Sequence, residues 1–138
     1  MKQYLLDTNV VSEVRKPKPH GAVLAWIAGL QNEQITLSAV SLGELQAGVE
    51  ITRRQDPKKA QEIEEWINRI ERTFNVLPMT SSCFREWARL MHGRPDELLE
   101  DAMIAATARV HRLIVATRNE NDFAHFNVDV LNPFRAQP

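Results

Sequence analysis

The chain is poor in cysteine, in long apolar runs and in net charge, and each shortage excludes a class of protein. Its one cysteine, Cys83, cannot form an intrachain disulfide, which fits a reducing compartment. No apolar run approaches the roughly 20 residues of a membrane span, and the N-terminus leads into a strand without a signal-peptide core. We therefore expect a cytoplasmic protein with no membrane partner.

The formal net charge of −1 argues against binding nucleic acid through bulk charge. It does not exclude a nuclease, because an acidic metal pocket and a local basic rim cancel in the sum. Arginines are concentrated late in the chain, where they either line a phosphate track or lie on solvated helix faces. They are Arg85, Arg89, Arg94, Arg109, Arg112 and Arg118.

Hydrophobic residues make up 43% of the chain, which is enough for a real core. No repeat, low-complexity tract or long linker divides the sequence, so we expect a single domain over residues 1–138. Short apolar runs separated by helical patterns predict an α/β fold with a central, mostly parallel sheet of four or five short strands flanked by helices. The predicted strands are Tyr4–Leu6, Ile35–Leu37, Val76–Leu77, Leu113–Ala116 and Val128–Leu131.

One predicted helix combines an apolar stripe with dense mixed charge. The stripe runs from Ile63 to Phe74 at helical spacing, and Asp56-Pro57 marks the helix start. Such a helix either packs in its own core or forms part of a groove for a partner helix.

Acidic residues follow the first two predicted strands. Asp7 comes directly after the first strand, and ligands in open α/β sheets bind beyond the carboxyl ends of strands, so Asp7 is a candidate catalytic acid. Glu44 follows the second strand. In Ser41-Leu42-Gly43-Glu44 it has the spacing of a capping box, so it caps the helix, points towards the same sheet edge, or does both.

Three further polar residues come late in the chain. Asp101 is expected in the second turn of a helix over Leu98–Val110, beside small residues that let this helix approach the sheet. It is either a site residue or a solvated acid near a helix N-terminus. The fourth strand leads to Asn119 and Asp122, which either cap a helix or offer oxygen atoms at the same edge.

Converging carboxylates repel one another, and each disfavours ionisation of the others. A divalent cation removes this conflict. Oxygen ligands without cysteine or histidine indicate Mg²⁺ or Mn²⁺ rather than zinc. Such an ion activates water and stabilises the charge that develops at phosphorus.

Four blocks of this sequence, in this order, resemble PIN-domain ribonucleases, and within them the VapC-like toxins of type II toxin–antitoxin systems. The blocks are Leu5–Val10, Ser41–Leu45, Leu99–Ala106, and Ala116–Asn119 continuing through Asp122 and Phe123 to Val130–Phe134. The resemblance covers nearly the whole chain.

The resemblance implies a PIN-like three-layer fold and a metal-dependent endoribonuclease. Its first three acids map onto Asp7, Glu44 and Asp101. Asn119 stands where the family often has an aspartate, so either Asp122 supplies the fourth acid or the site uses three. The resemblance also implies an RNA substrate, a homodimer, a small antitoxin that occludes the site, and contact with DNA only through that antitoxin.

These residues suggest a division of roles. We expect Asp7 and Asp101 to bind Mg²⁺ or Mn²⁺ with Glu44, which also orients or deprotonates the attacking water. Asn119 or Asp122 would hold a second ion or a water molecule. Candidates for supporting these ligands or contacting phosphate are Thr8, Ser41 and Arg118.

Two other interpretations remain open. The chain could be a non-catalytic PIN-fold subunit of a regulatory toxin–antitoxin complex on DNA, with the antitoxin making the DNA contacts. A receiver-like phosphoacceptor also gathers aspartates at strand ends, but it would want a lysine after a late strand, and residues 113–119 offer Arg118 instead. Binding of Mg²⁺ and cleavage of RNA separate these interpretations from a nuclease.

Overall fold

A five-stranded parallel sheet forms the centre of the computed structural model, which describes residues 1–135. The strands lie in the order β3-β2-β1-β4-β5, and every neighbouring pair is parallel. Their bounds are β1 Tyr4–Leu6, β2 Ile35–Ser38, β3 Asn75–Leu77, β4 Ile114–Ala116 and β5 Val130–Leu131. The central strand β1 is completely buried, as expected for a parallel strand covered on both faces.

Helices cover both faces of the sheet, so the predicted α/β three-layer architecture is confirmed. The helices are α1 Thr8–Glu13, α2 Gly21–Ala28, α3 Ala39–Arg53, α4 Pro57–Thr73, α5 Ser81–Met91, α6 Leu99–His111 and α7 Glu120–Phe123. Short 3₁₀ turns lie at Asn32–Gln34, Asp96–Leu98 and Ala124–Phe126. In the described residues, no helix is both long enough and apolar enough to cross a bilayer.

The two faces of the sheet carry different cores. On one face, Leu5 and Val115 pack with the buried alanines of α6 and with Phe123 and Phe126. On the other face, Leu6 and Leu37 pack with residues of α1 and α2 and with one side of α4. Alternate residues of β1 thus enter opposite cores, as the period of a strand requires.

The stripe that begins at Ile63 lies in α4, whose first residue is Pro57 and whose N-cap is Asp56 as predicted, while Phe74 follows the helix as its C-cap. Ile67 is buried against Val49 of α3, while Ile63 and Trp66 are only partly covered. The helix therefore packs within its own domain and still leaves part of its apolar stripe exposed.

Four strands lie where the sequence predicted them, but β5 is shorter than expected. It begins at Val130 and not at Val128, because Asn127 takes a left-handed conformation with φ 52°. That turn delays alignment with β4 until the carbonyl of Asp129 accepts the backbone N–H of Val115 at 2.9 Å. Val128 packs against the core next to α6 instead.

The strand order reverses at β1. The chain adds β2 and β3 on one side of β1 and later adds β4 and β5 on the other side. The carboxyl ends of β1 and β4 therefore lie side by side at a switch point, where open α/β sheets form their ligand crevice.

Candidate functional site

Asp7 lies in the crevice at this switch point, and hydrogen bonds hold its side chain in place. It follows β1 directly and its side chain is buried, with 5% of the residue exposed. Its Oδ1 accepts the backbone N–H of Thr8 at 2.8 Å, while Oδ2 accepts the Thr117 hydroxyl at 2.8 Å and the Asn9 side-chain amide at 3.2 Å. Burial raises the pKa of Asp7, the charge of Asp122 raises it further, and these hydrogen bonds act against both effects.

Thr117 is a site residue that the sequence analysis missed. It is fully buried and follows β4 directly, as Asp7 follows β1. Because Leu6 is in register with Ala116, the next residues, Asp7 and Thr117, meet across the two strand ends. The matching positions after two predicted strands were the available signal, but only the order of strands in the sheet reveals that the two are neighbours.

The Thr8 hydroxyl links helix α1 to Glu44. Thr8 Oγ1 lies 2.7 Å from Glu44 Oε1 and 2.9 Å from the Ser41 hydroxyl. The N-terminus of α1 and the first two turns of α3 are thereby joined through side chains, and the carboxylate of Glu44 has a fixed orientation.

The expectation of a Ser41–Glu44 capping box is wrong. Helix α3 begins immediately after β2, with Ser38 as N-cap and its hydroxyl accepting the N–H of Val40 at 3.1 Å. Ser41 is therefore already inside the helix and buried, and Glu44 lies in the second turn. Glu44 faces the crevice without serving as a backbone cap.

Asp101 reaches the same crevice from α6. It lies in the first turn and not in the second, because α6 begins at Leu99 after the 3₁₀ turn. Burial raises the pKa of Asp101 to about 6, together with the negative charges of Asp7, Asp122 and Glu100. Within the part of the chain that the structure describes, no cation or hydrogen-bond donor opposes this shift.

Glu100 is a second residue that the sequence analysis missed. Burial raises the pKa of Glu44 to about 7, and Glu100 adds to the shift through a hydrogen bond and through its charge. The carboxyl group of Glu100 therefore lies close to that of Glu44. Glu100 directly precedes Asp101, and nothing in the sequence pattern indicates that two adjacent helical residues face the same pocket.

The loop after β4 completes the crevice. Asp122 lies close enough to raise the pKa of both Asp7 and Asp101, so its charge belongs with theirs. Asn119 is exposed at the N-cap of α7, and its backbone N–H donates to the Thr117 hydroxyl at 3.0 Å. In residues 1–135 the Asn119 side chain makes no capping hydrogen bond.

Arg118 stands apart from the acids. Its backbone N–H donates to Asn9 Oδ1 at 3.2 Å, but its guanidinium carbon lies 4.3 Å from the centre of the Phe134 ring. The backbone of Arg118 therefore helps to build the crevice, while its charged group lies over Phe134.

The types of ligand atom in this crevice fit a hard divalent cation, but the spacing of the carboxylates fits such an ion less well. Every candidate ligand is an oxygen atom, and the carboxylates raise one another's pKa values. Yet among residues 1–135 no three aspartate, glutamate, histidine or cysteine side chains form a group that could hold a metal ion. This arrangement suits an ion that keeps several water molecules and takes one or two carboxylates directly, as Mg²⁺ usually does.

The chain is similar to known proteins along nearly its full length. A family profile described as PIN domain matches residues 4–128. Toxin FitB of Neisseria gonorrhoeae is 35% identical, with 94% of this chain and 97% of that protein aligned. VapC ribonuclease Y4jK of Sinorhizobium fredii is also 35% identical, with 94% and 96% aligned. The structure of FitAB bound to an IR36 DNA fragment superposes with a TM-score of 0.87 at 33% identity, covering 99% of each chain.

We predict that Asp101→Asn stabilises the protein at alkaline pH. A carboxyl whose pKa is raised on folding binds more protons in the folded state, so its ionisation lowers stability as the pH rises from about 4 through about 6. Near pH 8 the amide should raise the Tm by on the order of 3 °C, which corresponds to roughly 1 kcal/mol after allowance for solvent exposure.

Calorimetry near pH 8 and near pH 4 tests this, with Asp129→Asn as the control. Asp129 is exposed and directly precedes β5, so it lies at the amino ends of the strands, opposite to the acids. A gain of the same size at both pH values would show that the charge of Asp101 is not the cause.

Proposed function

The chain belongs to the PIN domain family, and from that we propose that it is an endoribonuclease and the toxin of a toxin–antitoxin pair. The observation that carries the proposal is the cluster of acids whose pKa values are raised at the β1–β4 switch point. The names of its relatives, a toxin and a VapC ribonuclease, supply the substrate class and the biological role.

We propose Mg²⁺, or Mn²⁺ in its place, as the cofactor. Asp7 and Asp101 would hold the ion directly or through water, and Glu44 would complete the site. Asn119 or Asp122 would hold a second ion or a water molecule. When bound, the ion makes water a stronger nucleophile and stabilises charge at the phosphorus centre.

The chain's own residues orient and deprotonate the nucleophile. Thr117, Asn9 and the backbone of Thr8 fix both oxygens of Asp7. Glu44, with a pKa of about 7 and an orientation set by Thr8, accepts the proton of the attacking water. The water oxygen bonds to phosphorus as the bond to the 3′-oxygen breaks, and the departing oxygen takes a proton from solvent water, leaving a 5′-phosphate and a 3′-hydroxyl.

This reaction does not use the ribose 2′-hydroxyl, so the chemistry alone would accept DNA. The proposal of RNA as substrate is supported by the relatives named as ribonucleases. The protein would distinguish RNA through the shape of the strand and its 2′-hydroxyls.

A small antitoxin is the proposed partner, and the cleft beside Glu44 is its proposed site on this chain. The cleft has a volume of about 320 Å³ and lies between α1, α3 and α4. Its walls include the basic residues Arg15 and Lys16 and the apolar side chains of Ile63 and Trp66. A peptide with acidic and apolar residues would fit this wall and also block access to Glu44. We further propose a homodimer that contacts DNA only through the antitoxin.

The alternative, a non-catalytic subunit of a regulatory complex on DNA, is favoured by one observation. A similar chain occurs in the FitAB structure bound to DNA. However, a purely regulatory subunit has no use for carboxylates that repel one another in a crevice, so the nuclease proposal explains more of the structure.

We predict that Asp7→Asn and Asp101→Asn each lower Mg²⁺-dependent RNA cleavage by at least about 100-fold, because each removes a charged oxygen from the pocket. Cleavage of total RNA by the purified chain, with and without EDTA, measures this. Asp129→Asn, at the far edge of the sheet, should cleave like the unchanged chain. Full activity in either of the first two variants would refute the assignment of the site.

We predict that Thr117→Val weakens cleavage roughly 10- to 100-fold, because Asp7 loses the hydroxyl that orients it. Thr117→Ser keeps that hydroxyl and is the matched control, so it should retain most of the activity. The Mg²⁺ concentration needed for half-maximal cleavage should rise for valine and stay near the original value for serine. Equal behaviour of the two variants would mean that the hydroxyl does not act through Asp7.

We predict that antitoxin binding slows amide exchange in the exposed part of α4 around Ile63 and Trp66, since these residues line the cleft. Hydrogen exchange followed by mass spectrometry compares the free chain with the complex. Helix α5, which does not line the cleft, provides the internal reference. Unchanged exchange in α4 would place the antitoxin elsewhere.

A further inference from the structure

A second polar pocket adjoins the acidic crevice. It has a volume of about 260 Å³ and is lined by Arg118, Asn119, Glu120, Asn121, Asp122 and Arg135. The two spaces are linked by hydrogen bonds: the backbone N–H of Asn119 donates to the Thr117 hydroxyl at 3.0 Å, and that hydroxyl donates to Asp7 at 2.8 Å. A strand whose scissile phosphate lies at the acids would have this pocket beside it.

Arg118 lines this pocket together with Arg135, which pairs with Glu120 at 3.4 Å, and Arg118 also contacts Phe134. Its guanidinium carbon lies 4.3 Å from the centre of the Phe134 ring, well within the range of a cation–π contact. The two segments are joined by Asn132, whose side chain donates to the carbonyl of Arg118 at 3.5 Å and accepts the N–H of Phe134 at 2.9 Å. The ring is thus fixed relative to the backbone that carries the arginine.

A buried acid outside the crevice also attracts Arg118. The side chain of Glu13 is 6% exposed, pairs with Lys16 at 2.9 Å and accepts the N–H of His20 at 3.0 Å. The hydrogen bond from Lys16 is the largest effect lowering the pKa of Glu13, and the charge of Arg118 lowers it as well. The charge of Glu13 therefore acts on Arg118, whose guanidinium contacts the Phe134 ring.

The result is a positive charge beside the acids that does not neutralise them. Within residues 1–135 Arg118 forms no ion pair, and its guanidinium contacts the Phe134 ring. A ring contact uses none of the five guanidinium N–H donors, which remain suited to a phosphate group. RNA must approach an acidic crevice, so a cation at its side offsets part of the repulsion.

We propose that this pocket binds a backbone phosphate of the RNA strand next to the scissile one, with Arg118 as its anchor and with Phe134 as a positioning residue that holds Arg118 through its ring contact. This inference rests on the proposed nuclease function and adds the path of the strand. Phe134 acts through Arg118 and does not contact the substrate itself.

Salt-dependent binding tests the anchor. The probe is a fluorescein-labelled single-stranded RNA of mixed sequence, about 20 nucleotides long, and anisotropy is measured in EDTA so that it is not cleaved. We expect Arg118→Gln to weaken binding about tenfold and to make the slope of log K against log salt shallower by roughly 0.7, the value of one phosphate contact. Arg118→Lys keeps the charge and should keep the slope.

Arg72→Gln is the control. Arg72 is an exposed arginine in the last turn of α4, just before β3 and so at the opposite edge of the sheet. The Arg72→Gln variant loses the same charge, and its affinity for the RNA and its salt slope should stay near those of the unchanged chain. If the two glutamine variants lose the same affinity, or if the unchanged chain does not bind the probe, the inference is wrong.

A double-mutant cycle tests the positioning role. Phe134→Leu should weaken binding about threefold in the unchanged chain and have no effect in the Arg118→Gln background. A purely structural role of Phe134 would give the same loss in both backgrounds and would overturn the positioning role.

Cleavage of the same RNA in Mg²⁺ separates this inference from the proposed function. If the unchanged chain does not cleave RNA, the nuclease proposal fails. If it cleaves, and Arg118→Gln binds the probe like Arg72→Gln, only the phosphate pocket fails.

Discussion

Repulsion among carboxylates at one edge of the sheet is the interaction on which the rest of this structure depends. Burial and mutual charge raise the pKa of Asp101 to about 6 and that of Glu44 to about 7. Removing water from charged groups costs free energy, so such a cluster opposes folding unless a ligand supplies positive charge. Conflicts of this kind between stability and side-chain placement mark functional sites, and here the conflict lies where the proposed cation would bind.

The scaffold holds the acids together against this repulsion. Asp7 and Thr117 meet because β1 and β4 are parallel neighbours whose residues end in register. On the face covered by α6, Ala102, Ala105 and Ala108 are buried, and their small side chains let the helix lie close to the sheet and bring Asp101 to the crevice. Thr8 then connects the first helix to Glu44. Each acid is therefore held in place by a helix or strand whose own position is set by apolar packing in the core.

Basic groups surround the crevice without entering it. Arg118 lies over Phe134 on one side, and Arg15 and Lys16 line the cleft beside Glu44 on the other. Because opposite charges are kept apart, local fields arise although the net charge of the chain is only −1. An RNA strand and a protein partner can then approach the same pocket from different sides. The proposed antitoxin would thereby control the proposed cleavage.

The sequence by itself determined the fold class, the strand positions and the location of Asp7, since apolar periodicity and the residue after a strand are local properties. It also indicated Glu44, Asp101 and Asp122 as acids for this edge, although it misplaced the first two within their helices. Only the tertiary structure decided that Thr117 holds Asp7, that Glu100 lies close enough to Glu44 to raise its pKa, and that Arg118 lies over Phe134. These contacts depend on strand order, on helix rotation and on the closeness of segments far apart in the chain, and local sequence patterns carry no information about any of the three.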